Sequence, residues 1–319
     1  MTATVRIATR ASELALRQAR MVQAALEVAG TPSELVTFKT VGDKKLGESL
    51  SAIGAKGLFT KELEDALAAG KVDCCVHSLK DLPTDMPDGL ALIAMLRRED
   101  PRDVLVVNHG IFAESLDDLP RGSRVGTSSL RRRAQLLHWR SDLEVVELRG
   151  NVPTRLRKID EGQVHAAILA GAGLIRLEAE QRIDAWLDAP EWLPAAGQGV
   201  IAVEAREDDA RMRALLASIH HAPSAFAASA ERSLLAALDG GCQVPIGALL
   251  IGEGAVAVLH ALVSDLHGKQ MLRGSLAVGT QSAAEVGVTL AAKMRSDGAT
   301  EILAAVRADT IRIPSPQPE

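Results

Sequence analysis

The sequence predicts an α/β protein of two strand–helix lobes followed by a small α+β unit, and three observations predict it. Strand-like and helix-like segments trade places from residue 5 to about residue 217. Two breaks interrupt the alternation where hinges between units belong: the charged run Arg97-Arg98-Glu99-Asp100-Pro101-Arg102-Asp103 and the stretch 190–199. Roughly the last eighty residues change pattern, to two glycine-separated strands and a helix. With 319 residues, 47% of them apolar, the chain can bury two or three cores.

Val5–Thr9 reads as a strand. Ser12 caps a helix carrying Leu14, Ala15, Val22, Ala25 and Leu26, ended by Gly30 and Pro32. Leu35–Thr40 is a second strand. The stretch Gly42 to Gly57, charged and rich in small residues, reads as a mobile loop or lid. Phe59–Ala69 is a helix closed by Gly70, Val72–His77 a buried strand, and Leu90–Met95 a strand after the turns at Pro83 and Pro87. Beyond the charged break, Val104–Val107, Arg124–Thr127, Leu143–Leu148 and Ala166–Leu169 are strands. Helices are expected at 129–139, after Asn151 with Pro153 in its first turn, and at Ala172–Glu178. Both sheets are expected to be parallel. Val200–Ala205 is again a strand, followed by helices at about 208–219 and 223–238. The final unit offers strands at 246–251 and 255–264 and a helix at 282–296. The tail Pro314–Pro318 reads as disordered.

Composition narrows the function. Four Phe, three Trp and no Tyr leave few platforms for stacking bases, which counts against single-stranded nucleic acid. The net charge is −5, yet residues 121–157 hold nine Arg against Asp142, Glu144 and Glu147. A basic region in an acidic chain points to a confined anionic ligand. Cys74, Cys75 and Cys242 give no disulfide framework, and adjacent Cys74 and Cys75 are not a C-x-x-C zinc pair, so no metal is expected. No apolar leader opens the chain and no run has the length of a membrane span, which reads as a cytoplasmic protein with no membrane partner.

Three motifs carry chemistry. Gly126-Thr127-Ser128-Ser129-Leu130-Arg131-Arg132-Arg133 follows a strand and opens a helix. Free N–H groups, hydroxyls and guanidiniums there suit a carboxylate or phosphate, the alternative being a capped helix with a solvated basic face. Arg149, Arg155 and Arg176 near other strand ends strengthen the anion reading. Asp81, after a buried strand and before Pro83, reads by itself as a turn cap; as a site residue it would stabilise a developing cation. Lys80 beside it is a second anion contact, and His77 reads as a strand-end histidine. Cys242, in Gly240-Gly241-Cys242-Gln243-Val244-Pro245, is a lone thiol in a turn-like backbone, open to covalent attachment or else simply packed.

Together, Arg6–Arg10, Lys56–Leu63, Val76–Pro83, Arg98–Asp103, Gly126–Arg132, Leu148–Asn151, Ala196–Gly199 and Gly240–Pro245 resemble the porphobilinogen deaminase family, over almost the whole chain to about Val306. The resemblance implies two lobes of the type II periplasmic-binding-protein kind plus a small α+β C-terminal domain. It implies domains at 1–99 with 200–217, at 105–193 and at 222–319, with 200–217 returning to complete the first lobe. The implied reaction joins four porphobilinogen molecules head to tail with loss of ammonia and releases the linear tetrapyrrole. A dipyrromethane cofactor, bound by thioether to Cys242, would serve as primer. Asp81 becomes the catalytic carboxylate, stabilising the methylene-pyrrolenine cation formed as ammonia leaves. Arg10, Arg131, Arg132, Arg149, Arg155 and Arg176 match positions that bind pyrrole acetates and propionates. Ser12, Gln18, Lys56, Lys80, Thr127, Ser128, Ser129 and Gln198 match supporting contacts. A monomer that hands its product to a downstream synthase is also implied. Ala52 and Gly47 depart from the family's frequent Lys and Asp in the lid. The rival readings are a non-enzymatic anion-binding protein, which has no need of Cys242, and a nucleic-acid binder using the 121–157 patch.

Overall fold

The computed structural model describes residues 4–40, 60–240 and 244–312. In chain order the first part holds β1 (Val5–Arg10), α1 (Glu13–Val28), β2 (Ser33–Phe38), α2 (Lys61–Ala68), β3 (Cys74–Ser78) and β4 (Leu90–Met95). The second holds β5 (Asp103–Val107), β6 (Arg124–Gly126), α3 (Leu130–Trp139), β7 (Glu144–Val146), α4 (Val152–Asp160), β8 (Ala166–Ala170), α5 (Gly171–Arg176) and β9 (Ala185–Leu187). Then come β10 (Ile201–Arg206), α6 (Ala210–Ala217) and α7 (Ala222–Ala237). The chain closes with β11 (Ile246–Ile251), β12 (Val258–Ser264), β13 (Met271–Ala277), α8 (Ala283–Met294) and α9 (Thr300–Arg312).

Three sheets result, ordered β2-β1-β3-β10-β4, β7-β6-β8-β5-β9 and β11-β12-β13. The expectation of parallel sheets is corrected. β10 runs antiparallel to both β3 and β4, and β5 runs antiparallel to both β8 and β9. The two reversed strands are those by which the chain enters a sheet from the other lobe, so they arrive from the opposite direction to strands wound by local strand–helix–strand crossovers. β9, β13 and α9 are elements the sequence pattern does not disclose.

Packing follows strand alternation. In the first sheet Ile7, Cys74, Val76 and Val203 face α1 through Ala19, Val22 and Leu26. Ala8 and Cys75 face the other way, onto Leu63 and Leu67 of α2. Each fully buried leucine contributes about 1.5–3 kcal/mol by leaving water. The small third sheet packs Leu259 and Val263 against Leu234 of α7 and Leu290 of α8.

Two chain segments join the lobes, and they run side by side. Glu99 N–H donates to the Gly199 carbonyl at 3.1 Å, and Leu96 N–H to that of Ile201 at 3.0 Å. Gly199 has φ +87°, and a Cβ there would collide with the Glu99 carbonyl oxygen, so the close approach requires glycine. The C-terminal unit grips this crossing. Glu231 of α7, fully buried, accepts from both terminal nitrogens of Arg98 at 2.6 and 3.1 Å and from the backbone N–H groups of Gly197 and Leu250. Next to it Arg232 donates to the Pro83 carbonyl at 2.6 Å, bracing the turn that carries Asp81.

Candidate functional site: a cationic cleft between the lobes

A cavity of about 90 Å³ lies where β3, α1, α4 and α5 meet the crossing segments, and it is lined by Gln18, Lys80, Arg132, Arg155, Arg176 and Gln198 among others. The local structure explains why cations converge there. Ser129 caps α3, accepting from the Arg132 N–H at 3.4 Å, and Asn151 caps α4, accepting from the Thr154 N–H at 2.9 Å. Both helices thus point their N-termini and first-turn arginines toward strand ends. Thr127 Oγ1 accepts from the Ser129 N–H at 3.2 Å, and Ser128 donates to the Leu148 carbonyl at 2.9 Å, so these hydroxyls first shape the turn.

The two arginines of the Gly126 motif are neutralised from within. Asp103, fully buried at the start of β5, accepts from Arg131 at 2.6 Å, Arg132 at 2.8 Å, the Trp192 indole at 2.9 Å and the Gln198 amide at 2.8 Å. Burial alone would raise the Asp103 carboxyl; the guanidiniums of Arg131 and Arg132 outweigh it and hold it far below the usual carboxylate range. Arg131 spends its second contact on the Leu193 carbonyl, and Arg132 donates to that of Ile168. Arg132 lines the cavity, and its Nε is buried with no partner. One carboxylate against two guanidiniums leaves a net positive charge beside the cleft.

The remaining cations add to that surplus. Arg155 holds the Gly150 carbonyl at 2.8 Å; burial, then Arg132, push its guanidinium down to about 10, and Asp81 pulls it back up. Arg176 donates to the Gly199 carbonyl at 2.6 Å, and its Nε is buried without a partner. Burial lowers it to about 10 against the pull of Glu99. Lys80 donates to Gln198 Oε1 at 3.1 Å; burial, then Arg132, push its ammonium down to about 8, with Asp81 and Asp103 opposing. Asp81 ends the single 3₁₀ turn Leu79–Asp81 and is exposed. Among the described residues its carboxylate makes no hydrogen bond.

Other expected positions surround this set. Arg10 ends β1, and Ser12 caps α1 by accepting from the Ala15 N–H at 3.4 Å. Gln18 exchanges hydrogen bonds with Ser78 at 2.8 and 3.1 Å, which fixes its amide below the cavity. Arg149 lies 3.2 Å from Glu147. Lys56, Cys242 and the lid positions Gly47 and Ala52 lie outside the described residues, as does the tail Pro314–Pro318. Sequence reasoning missed Asp103, Trp192 and Glu231. Asp103 left one signal, an acid opening an otherwise wholly apolar strand.

A cation-lined cleft between two lobes suits many anionic ligands, and the comparisons with known proteins narrow it. A family model described as "Porphobilinogen deaminase, dipyromethane cofactor binding domain" matches residues 5–214, and "Porphobilinogen deaminase, C-terminal domain" matches 225–296. A porphobilinogen deaminase of Moorella thermoacetica is 50% identical over 308 residues, covering 96% of this chain and 97% of that protein. The chain belongs to the porphobilinogen deaminase family. Among solved structures, the methionine-binding protein MetQ aligns with a TM-score of 0.44 at 16% identity, covering 68% of this chain and 89% of that one. A periplasmic substrate-binding protein of an ABC transporter from Coxiella burnetii aligns at 0.43 and 18%, covering 72% and 97%.

The family's dipyrromethane group carries carboxylate side chains, and the residues here fit such a group. Arg132 and Arg176 each present a buried, unpartnered Nε, and Lys80 and Arg155 complete a cavity with more cations than acids. Membership in this family accounts for that surplus. No helix among the described residues is long and apolar enough to cross a membrane.

Proposed function

We propose that this chain is a hydroxymethylbilane-forming transferase, joining four porphobilinogen molecules head to tail with loss of ammonia, with the roles of individual residues as follows. The carrying observation is the exposed carboxylate of Asp81 beside a cleft of Lys80, Arg132, Arg155 and Arg176, in a chain of the porphobilinogen deaminase family. Asp81 stabilises the positive charge that develops on the substrate as ammonia departs, and orients pyrrole N–H groups for carbon–carbon bond formation. Arg10, Arg132, Arg149, Arg155 and Arg176 bind the acetate and propionate groups, with Lys80, Ser12, Gln18, Thr127, Ser128, Ser129 and Gln198 in support. Arg131 acts one layer back, through Asp103. Lys56 acts from the segment before α2.

Dipyrromethane would be held by a thioether to Cys242 and would supply the primer for chain growth, and the arginines of β8–α5 and α3–α4 would hold its carboxylates. We assign the first domain to 1–99 with 200–217, the second to 105–193 and the third to 222–319. The pairing of β10 with β3 and β4 supports the first assignment. We also assign a cytoplasmic monomer that releases its product to a downstream synthase; the buried, unpaired thiols Cys74 and Cys75 agree with a reducing compartment.

Incubation with porphobilinogen tests the reading: ammonia and a linear bilane are the expected products. Intact mass should exceed the sequence mass by two linked pyrrole units, mapping to the peptide of Cys242. It should be absent from Cys242→Ser and retained in Cys74→Ala and Cys75→Ala. An unmodified protein that still converts porphobilinogen overturns the cofactor assignment, and an unmodified, inactive one favours a plain anion-binding protein.

A further inference from the structure

The polar group that the reaction leaves unused lies on the back of the first sheet, away from the cleft. Cys75 and His77 are two apart on β3 and share a face. Glu204 of β10 stands directly opposite Cys75 in the antiparallel register. One ligand atom each from Cys75, His77 and Glu204 lies within 4.8 Å of the other two, and all three residues are buried. His77 Nε2 is 2.9 Å from one Glu204 oxygen, and Cys75 Sγ donates to the Leu63 carbonyl at 3.4 Å. α2 covers this face, and its Glu64 lies close enough that Cys75, His77 and Glu204 all sense or impose charge on it.

A plain His–Glu hydrogen bond accounts for His77 and for one oxygen of Glu204. It leaves the second Glu204 oxygen, on a residue with no solvent exposure, without a partner, and one buried Glu64 oxygen likewise. Buried acceptors are rarely left so, and two carboxylates with one imidazole are an excess of negative charge in an apolar layer. A thiol, an imidazole and a carboxylate are the ligand set of a borderline cation such as zinc, rather than of magnesium or calcium. Two ligands on a tetrahedral zinc sit about 3.5 Å apart, so three atoms already within 4.8 Å of one another have to close by only about an ångström to share one ion.

We propose that Cys75, His77 and Glu204 form a structural zinc site, with Glu64 or a water as fourth ligand. On binding, the Zn–S bond replaces the S–H bond and the thiol proton passes to solvent; the cysteine–Leu63 and His77–Glu204 hydrogen bonds are given up. The ion ties β3 to β10 and α2, and so fixes the strand that runs directly into the Leu79–Asp81 turn. The proposal stands apart from the deaminase reading, since none of its ligands touches the cleft.

The test uses the full-length protein, stripped with a chelator, dialysed and titrated with Zn²⁺ or Co²⁺ alone. One zinc per chain, a raised thermal midpoint and a thiolate-to-cobalt absorption band are expected. Cys75→Ala should abolish the band and weaken zinc by on the order of a hundredfold or more, since even outer-shell losses cost up to about that. Cys74→Ala, on the opposite face, and Cys242→Ser should keep both. Cys75→Ser, nearly isosteric, gives the same readout should the alanine variant fail to fold. Absence of stoichiometric zinc, or a band that survives in both Cys75 variants, overturns the site and leaves a hydrogen-bonded pair.

Discussion

The two lobes present opposite solutions to holding charge at one cleft. The first lobe offers Asp81 at the tip of one 3₁₀ turn, exposed and with no hydrogen bond among the described residues. The second offers Arg131 and Arg132 almost wholly buried, each already tied to Asp103 at 2.6–2.8 Å. The difference teaches where energy is stored. A carboxylate that must meet a transient cation gains from being unpaired beforehand, because any partner would have to be displaced in the transition state. Guanidiniums that must sit rigidly beneath an anion gain from an internal counter-ion that sets their geometry. Chemistry is therefore expected to fail when the first lobe's acid is altered, and folding to fail when the second lobe's buried pair is broken.

The largest effect should come from Asp81→Asn, which keeps shape and removes charge. Turnover is expected to fall about a thousandfold, as when a single transition-state stabiliser is lost. Thermal stability should be unchanged, because Asp81 is exposed. Asp81→Glu should restore part of the rate. Near-normal turnover by the asparagine variant, measured as ammonia release, would break the comparison at its first term.

Next in size is the contrast between Arg131→Leu and Arg155→Leu. Removing Arg131 leaves Asp103 with less compensation in the interior, a loss of about 3–5 kcal/mol. Removing Arg155 gives up a contact to the Gly150 carbonyl and should cost stability far less, while stalling elongation at a partial chain. Urea denaturation and native mass spectra separate the two. Equal destabilisation by both would show that the arginines are not divided into supporting and binding roles. Gly199→Ala, at the crossing between the lobes, should fall between them. It forces a Cβ into the Glu99 carbonyl at positive φ and costs on the order of 1–3 kcal/mol, seen as a lower thermal midpoint with the mass of the cofactor intact.

Much of this was legible in the chain. Ser12, Ser129 and Asn151 read as helix starts, and each makes the N-cap hydrogen bond that its residue type predicts. The buried strand before Asp81 and the arginines at strand ends were also visible, because alternation and caps are local. What escaped is what only the tertiary fold creates. Asp103 gathers side chains from positions 131, 132, 192 and 198, and no local period announces such a convergence. The direction of β10 is set by its arrival from the other lobe, not by its own sequence. β9 has only three residues, too few to show alternation, and β13 carries Arg273 and Gly274 within its run. Asp81 by itself is indistinguishable from a turn residue, and only its place among the other motifs marks it as a site carboxylate.

The smallest effect, and the finest test of the comparison, lies in Lys80, which stands between the two kinds of charge. Its folded pKa is lowered to about 8 from the ordinary 10.5, first by burial and then by Arg132. Between those two values the unfolded chain holds a proton that the folded chain has shed, so stability rises with pH across that window. Below about pH 8 the folded protein carries the buried ammonium at a cost. The cost fades as pH climbs from 8 to 10.5 and is gone above it. Lys80→Met lacks this group, so the stability difference, wild type minus variant, should climb across that window and be flat on either side. The protein to use is the Cys242→Ser background, expected to lack the pyrroles. In the loaded protein, ligand carboxylates beside Lys80 should favour its charged form, raise its pKa and move the climb to higher pH. A difference curve that is flat from pH 8 to 10.5 in the unloaded background would mean that Lys80 keeps ordinary solvent contact. Lys80 would then remain an ordinary ammonium up to about pH 10.5 and add its full charge to that of the second lobe's arginines.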